Sequence, residues 1–139
     1  MHITLTERDD PPEAKSALEG LTAFNAPFVG GHGHTPLSLV VRREPGGAPV
    51  GGAYGWCYGG WYFLHYFYLP EDMRGAGQGR ALIARIEAEA RARGCIGAWL
   101  DTFSFQAPGF YEKQGYARFG TLDDHPPGHA RHFLFKRFS

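Results

Sequence analysis

Residues 67–80, Phe-Tyr-Leu-Pro-Glu-Asp-Met-Arg-Gly-Ala-Gly-Gln-Gly-Arg, carry the most specific chemical signal in the chain. Gly75, Gly77 and Gly79 alternate between Arg74 and Arg80, immediately ahead of a helical pattern. The amino terminus of a helix leaves N–H groups unpaired and carries partial positive charge, so it attracts phosphate. Alternate glycines remove Cβ atoms and let those N–H groups close around the anion. Several charge-assisted bonds of about 1.5–3 kcal/mol each would anchor a diphosphate with little side-chain help. Two familiar phosphate loops do not fit. A P-loop needs Lys-Ser or Lys-Thr after its glycines, and none follows here. A dinucleotide fold wants Gly-x-Gly-x-x-Gly after an early strand, whereas this spacing is Gly-x-Gly-x-Gly and begins halfway along the chain.

The elements around this loop read as a mixed α/β sheet. Residues 2–6 alternate polar and apolar, a short first strand, and residues 12–24 place Ala14, Leu18, Leu21 and Phe24 at helical spacing. Residues 25–35, with Gly30, Gly31 and Gly33, read as a loop. Strands follow over 37–43, 50–58 and 61–69, the last two joined at Gly59-Gly60 as a tight hairpin. On the 61–69 strand, strict alternation puts Trp61, Phe63, His65, Phe67 and Leu69 on one face, and Tyr62, Leu64, Tyr66 and Tyr68 on the other. Leu82, Ile83, Ile86 and Ala90 then form the apolar stripe of a helix that Gly94 stops. A strand over 95–102, a helix from Pro108 to Gly115, and strands over 116–121 and 132–138 complete the order β-α-β-β-β-α-β-α-β-β.

Composition narrows the function. At 139 residues the chain fits one domain. Its 14 basic and 14 acidic residues cancel, leaving no net field to favour nucleic acid or an anionic membrane. The longest apolar run, over 61–69, is nine residues and contains His65, far short of a membrane span. The first residues lack the features of a signal peptide, so a cytoplasmic protein is expected. Cys57 and Cys95 are too few and too far apart for a disulfide framework or thiolate metal site.

Arg74-Gly75-Ala76-Gly77-Gln78-Gly79 fits the pattern [RQ]xxGx[GA] at every fixed position, and about thirty residues later Ala107-Pro108-Gly109-Phe110-Tyr111-Glu112-Lys113-Gln114-Gly115-Tyr116 looks like AxxFYxxxGF, with Tyr116 at the final position. Together these resemble the GNAT superfamily of acetyl-CoA-dependent N-acetyltransferases, and the element order agrees. The resemblance implies a sheet whose central strands splay, with acyl-pantetheine bound by backbone groups of Phe67 and Leu69. It makes the Leu69 N–H a donor to the thioester carbonyl, where it would stabilise developing negative charge. Arg74, Gly75, Gly77, Gln78, Gly79 and Arg80 would hold the diphosphate, and Ser104 stands where the family often has a cofactor-touching Asn. Tyr111 matches the tyrosine used as general acid toward the departing thiolate. An attacking alkylamine, with pKa about 10.4, must first lose a proton. His65, Asp101 and a water relay are the alternatives for taking it. The resemblance also implies a primary amine on a small molecule as acceptor, no metal, and a homodimer. A non-catalytic acetyl-CoA sensor is the alternative function.

The remaining polar residues divide by context. His32 and His34 in one loop, and His125, His129 and His132 around Pro126-Pro127-Gly128, could imitate a metal site. No HExxH motif or cysteine pair accompanies them, and contact with the acceptor is the expected role. The aromatic run from Tyr54 to Tyr68 reads as core and dimer contact, with a few rings on the acceptor cleft where they could stack on a cation.

Overall fold

The computed structural model describes all of Met1–Ser139. Six strands form one sheet: β1 (Thr35–Arg42), β2 (Pro49–Tyr58), β3 (Trp61–Tyr68), β4 (Gly97–Phe103), β5 (Ala117–Asp123) and β6 (Ala130–Arg137). Their spatial order is β1-β2-β3-β4-β6-β5, and β3–β4 is the parallel pair. Helix α2 (Gln78–Ala92) makes that parallel crossover, and α3 (Pro108–Lys113) joins β4 to β5. Gly94, at φ +90°, ends α2 while the Cys95 N–H reaches back to the Ala90 carbonyl.

One sheet face carries the core. Ile83, Ile86 and Ala90 from α2 pack with Tyr62, Leu64, Ala98, Leu100 and Leu134 from the strands, and α3 adds Tyr111. Cys57 and Cys95 are free thiols buried in the same cluster. The opposite face is a sheet of rings: Trp56 meets Phe63 at 5.0 Å between centroids, and Phe63 meets Trp99 at 4.3 Å. No helix contributes a buried residue to that second face.

Three local expectations are corrected. Residues 2–6 form no strand and lie fully exposed, because no neighbouring strand offers them a ladder. Helix α1 runs Ala14–Val29, through Pro27 and into the segment expected to be a loop. The apolar period continues through Phe28, and the helix stops at Gly30, whose φ of +55° suits glycine. Finally, β3 does not alternate strictly. Tyr54 pairs with Tyr66 and Gly55 with Leu64, so His65 is an extra, bulged residue. A side chain at Gly55 would run into the Phe63 carbonyl and the Tyr62 hydroxyl, so glycine permits this close approach. The bulge reverses side-chain parity beyond it. Leu64 and Leu69 are both buried and Phe67 packs on the core, whereas His65 faces the rings of Trp56 and Phe63.

Candidate active site

The central strands part where the bulge lies. β3 and β4 pair from Trp61↔Gly97 to Leu64↔Leu100, but β3 continues to Tyr68 and β4 to Phe103 without further pairing between them. From His65 onward the β4-facing edge of β3 therefore has no strand partner. Between the diverging ends lies a cavity of about 780 Å³. Its floor is Leu64 and Leu100, one wall is the end of β3 with the glycine loop, and the other is the end of β4 with α3.

The glycine loop presents a row of donors. None of the six main-chain N–H groups of residues 75–80 donates to another backbone group, and no side chain takes them. Gly77 caps α2 in the left-handed conformation at φ +82°, and Gly75 sits at φ +86°. The space where a Cβ would stand is open at both, so backbone conformation rather than crowding selects glycine. Gly79 is different: a Cβ there would approach the Phe110 ring to 3.3 Å. Arg74 ties the loop to the strand end, its Nε donating to the Leu69 carbonyl at 2.7 Å and its guanidinium 5.4 Å from the Tyr68 ring. An anion seated here would meet aligned amides, a helix dipole and two guanidinium groups together.

Three tyrosines are buried in the core, and two are committed. Tyr62 donates to the Leu37 carbonyl at 3.0 Å and Tyr116 to Glu87 at 2.8 Å, with Lys136 also on Glu87. Tyr111 lines the cavity and spends its hydroxyl on no protein group. Burial pushes its pKa up to about 12, because an ionised phenolate would be poorly solvated there. Tyr111 is therefore a protonated donor at neutral pH, aimed into open space.

The other end of the cavity is built from side chains. Asp101, at the end of β4, accepts from Arg131 Nε at 2.8 Å and is 2.6 Å from the same guanidinium's Nη2. Arg131 lies over the rings of Phe103 and Phe133. Gln106 turns its amide oxygen inward, taking the Phe103 N–H at 2.8 Å and the Thr102 hydroxyl at 3.2 Å. His65 lines this end with its ring stacked on Tyr66 at 4.0 Å.

Most of the residues singled out in the sequence meet in this cavity: His65, Phe67, Leu69, Arg74, Gly75, Gly77, Gly79, Arg80, Asp101 and Tyr111 all line it. Gln78 does not line it, although its main-chain N–H is unpaired. Ser104 does not line it. Its hydroxyl accepts the Ala130 N–H at 3.0 Å and its own N–H goes to the Ala130 carbonyl, which pins the start of β6. Instead Thr102 and Gln106 occupy that side of the cleft. No sequence signal marked them, since their place depends on how β4 ends. The loop histidines do not converge: His34 packs on Trp56, His129 on Phe105, and His132 bonds Thr121 and Arg118.

Residues 4–116 match the acetyltransferase (GNAT) family. The chain belongs to the GNAT acetyltransferase family. It is similar to the blasticidin-S acetyltransferase of Streptomyces morookaense, with 43% identity over 104 residues that cover 73% of this chain and 76% of the relative. A crystal structure of an acetyltransferase from Agrobacterium tumefaciens, 33% identical, covers 99% of this chain and 100% of its own at a TM-score of 0.90. More distantly, an acetyltransferase structure from Bacillus anthracis, solved in complex with acetyl coenzyme A, shares the fold at 19% identity and a TM-score of 0.59. That alignment covers 68% of this chain and 58% of the neighbour. This GNAT chain is accordingly an acyltransferase, and its split central strands and glycine loop are the parts of the fold that face the cavity.

Proposed function

We propose that the chain transfers an acetyl group from acetyl-CoA to a primary amine of a small molecule, by direct attack while both are bound. The observation that carries this reading is the conjunction of unspent amides, at the lining residues Gly75, Gly77, Gly79 and Arg80, and an unspent phenol, at Tyr111, on one cavity. The amides with Arg74 and Arg80 fit the diphosphate. The unpaired edge of β3 from His65 onward fits the amide-rich pantetheine arm, and the Leu69 N–H is the proposed donor to the thioester carbonyl. Acetyl-CoA supplies the activated acetyl group. The relative named for blasticidin S supports a small-molecule acceptor, and the aromatic, ion-paired character of the Asp101 end suits a cation.

Proton traffic then divides between the two ends. Tyr111, held neutral by burial, donates a hydrogen bond to the departing thiolate, whose ordinary pKa is about 8.5. A phenol near 12 gives its proton up to such a thiolate only against a gradient, so hydrogen-bond donation, not completed transfer, is its proposed part. His65 is the one imidazole lining the cavity and is the proposed acceptor of the proton from the incoming ammonium. The test is thiol release by purified protein with acetyl-CoA across a panel of small amines, aminated nucleosides included. Amine-dependent release with an acetylated product by mass spectrometry is expected. Acetyl-CoA binding with no release above hydrolysis for any amine would overturn the reading.

A further inference from the structure

Residues 1–29 are the least supported part of the molecule. Helix α1 has no buried residue, and its apolar stripe is open to solvent: Leu18 is 65% exposed, Leu21 59%, Phe24 72% and Phe28 81%. At helical spacing these four share one face of about a third of the circumference. An isolated helix of 16 residues is marginal in water, and Gly20 and Pro27 weaken this one further. Ahead of it, Ile3 is 77% and Leu5 91% exposed, on a segment that alternates like a strand but pairs with nothing. Such a stripe persists as helix only when something covers it.

The same chain leaves two complementary surfaces bare. The ring face of the sheet, through Trp56, Phe63 and Trp99, has no helix over it. The outer edge of β1, eight residues long, has no strand beside it. The chain's own α1 buries no side chain on them, because it is held only at the β2–β3 hairpin end of the ring face. The Gly59 N–H donates to the His32 carbonyl at 2.8 Å, the His34 ring sits on Trp56 at 5.5 Å, and Asn25 reaches the Tyr58 hydroxyl.

We infer that residues 1–29 dock on a second copy of this chain, reciprocally. The stripe of α1 covers the partner's ring face, and residues 2–6 add a strand to the partner's β1 edge. A second copy fits better than an unrelated partner for a structural reason. Each chain offers one unplaced amphipathic helix and one unplaced strand, and lacks one helix over its ring face and one strand on its edge. A two-fold exchange satisfies both and closes, leaving no open end for filaments. Zero net charge sets up no repulsion between copies. Six apolar side chains from each arm bring the contact to the order of 800 Å² per partner that a stable interface needs.

The exchange bears on the acceptor. Trp56 and Phe63 pack against His65 at 5.2 and 5.5 Å, so a helix laid on their face walls the acceptor end of the cleft. This consequence, unlike the dimer itself, rests on the transfer reading. Sedimentation velocity of the full chain at micromolar concentration is expected to give twice 15.4 kDa. Leu21→Glu with Phe24→Glu is expected to raise the dimer dissociation constant at least 100-fold. It should leave acetyl-CoA affinity within twofold and raise the amine KM at least fivefold. A monomeric wild-type chain, or a dimer unmoved by L21E/F24E, would overturn the inference; an unmoved amine KM in the monomeric variant would overturn the wall. If that variant does not fold, hydrogen exchange on the wild type decides. Protection of α1 amides that disappears on dilution supports exchange, and protection independent of concentration refutes it. A dimer that acetylates nothing leaves the exchange standing and sinks only the transfer reading.

Discussion

The two ends of the cleft are made of different material. The glycine-loop end is main chain: six amides, left-handed glycines at 75 and 77, and the start of α2. The Asp101 end is side chain: an ion pair with Arg131, a glutamine braced by Thr102, and an imidazole lifted by a bulge. A site of backbone groups tolerates change in neighbouring side chains and recognises a shared chemical part. A site of side chains held on strand ends and loops changes with single substitutions, and on the proposed reading it is where acceptor choice resides.

The largest effect should come from filling the amide nest with the wrong charge. Gly77→Glu puts a carboxylate among donors meant for phosphate and forces a left-handed conformation on a residue with a Cβ. Calorimetry should show acetyl-CoA affinity falling ~1000-fold, from the loss of two or more charge-assisted bonds. Gly77→Ala isolates the backbone part and should cost ~10-fold. Equal losses would mean that anion recognition is not what the loop does.

Tyr111→Phe comes next, since it removes one hydroxyl from the boundary between the two ends. We expect kcat to fall ~100-fold with acetyl-CoA affinity nearly unchanged, the pattern of a group that acts on the leaving thiolate. A matching loss of affinity would instead make Tyr111 a binding residue. His65→Gln touches only the acceptor end. It should lower kcat/KM for the amine ~10-fold, again sparing acetyl-CoA binding. An unchanged kcat/KM would pass the proton to a water relay.

The smallest effect is a stability change that separates buried phenols from exposed ones. Below pH 10 the Tyr111 phenol is neutral in folded and unfolded chains alike, and its burial contributes in full. As pH rises from 10 toward 12 the unfolded chain loses the proton first, so stability declines. Tyr62 and Tyr116, also held above the ordinary phenol range by burial, add in the same direction. By pH 10.5 the Tyr111 share amounts to about 0.8 kcal/mol. It appears as a shallower fall in the urea midpoint of Tyr111→Phe than in that of the wild type.

Local patterns in the chain determined much of this. Gly75, Gly77 and Gly79 ahead of the Leu82–Ile86 stripe announce a helix start with unpaired amides, because φ preference and helical period are properties of neighbouring residues. The strands of the sheet, α2 and α3 are legible for the same reason. Tertiary structure decided what depends on distant partners. The His65 bulge arises from how β2 and β3 fit together across Gly55, and it sends His65 to the opposite face from Phe67. Ser104 is claimed by Ala130 from 26 residues away, and Thr102 and Gln106 take its side of the cleft. Residues 2–6 alternate like a strand yet have no ladder, since period specifies a face but cannot supply a neighbour. The donor end was readable because its chemistry lies in consecutive amides; the acceptor end was not, because its chemistry exists only where separate strands meet.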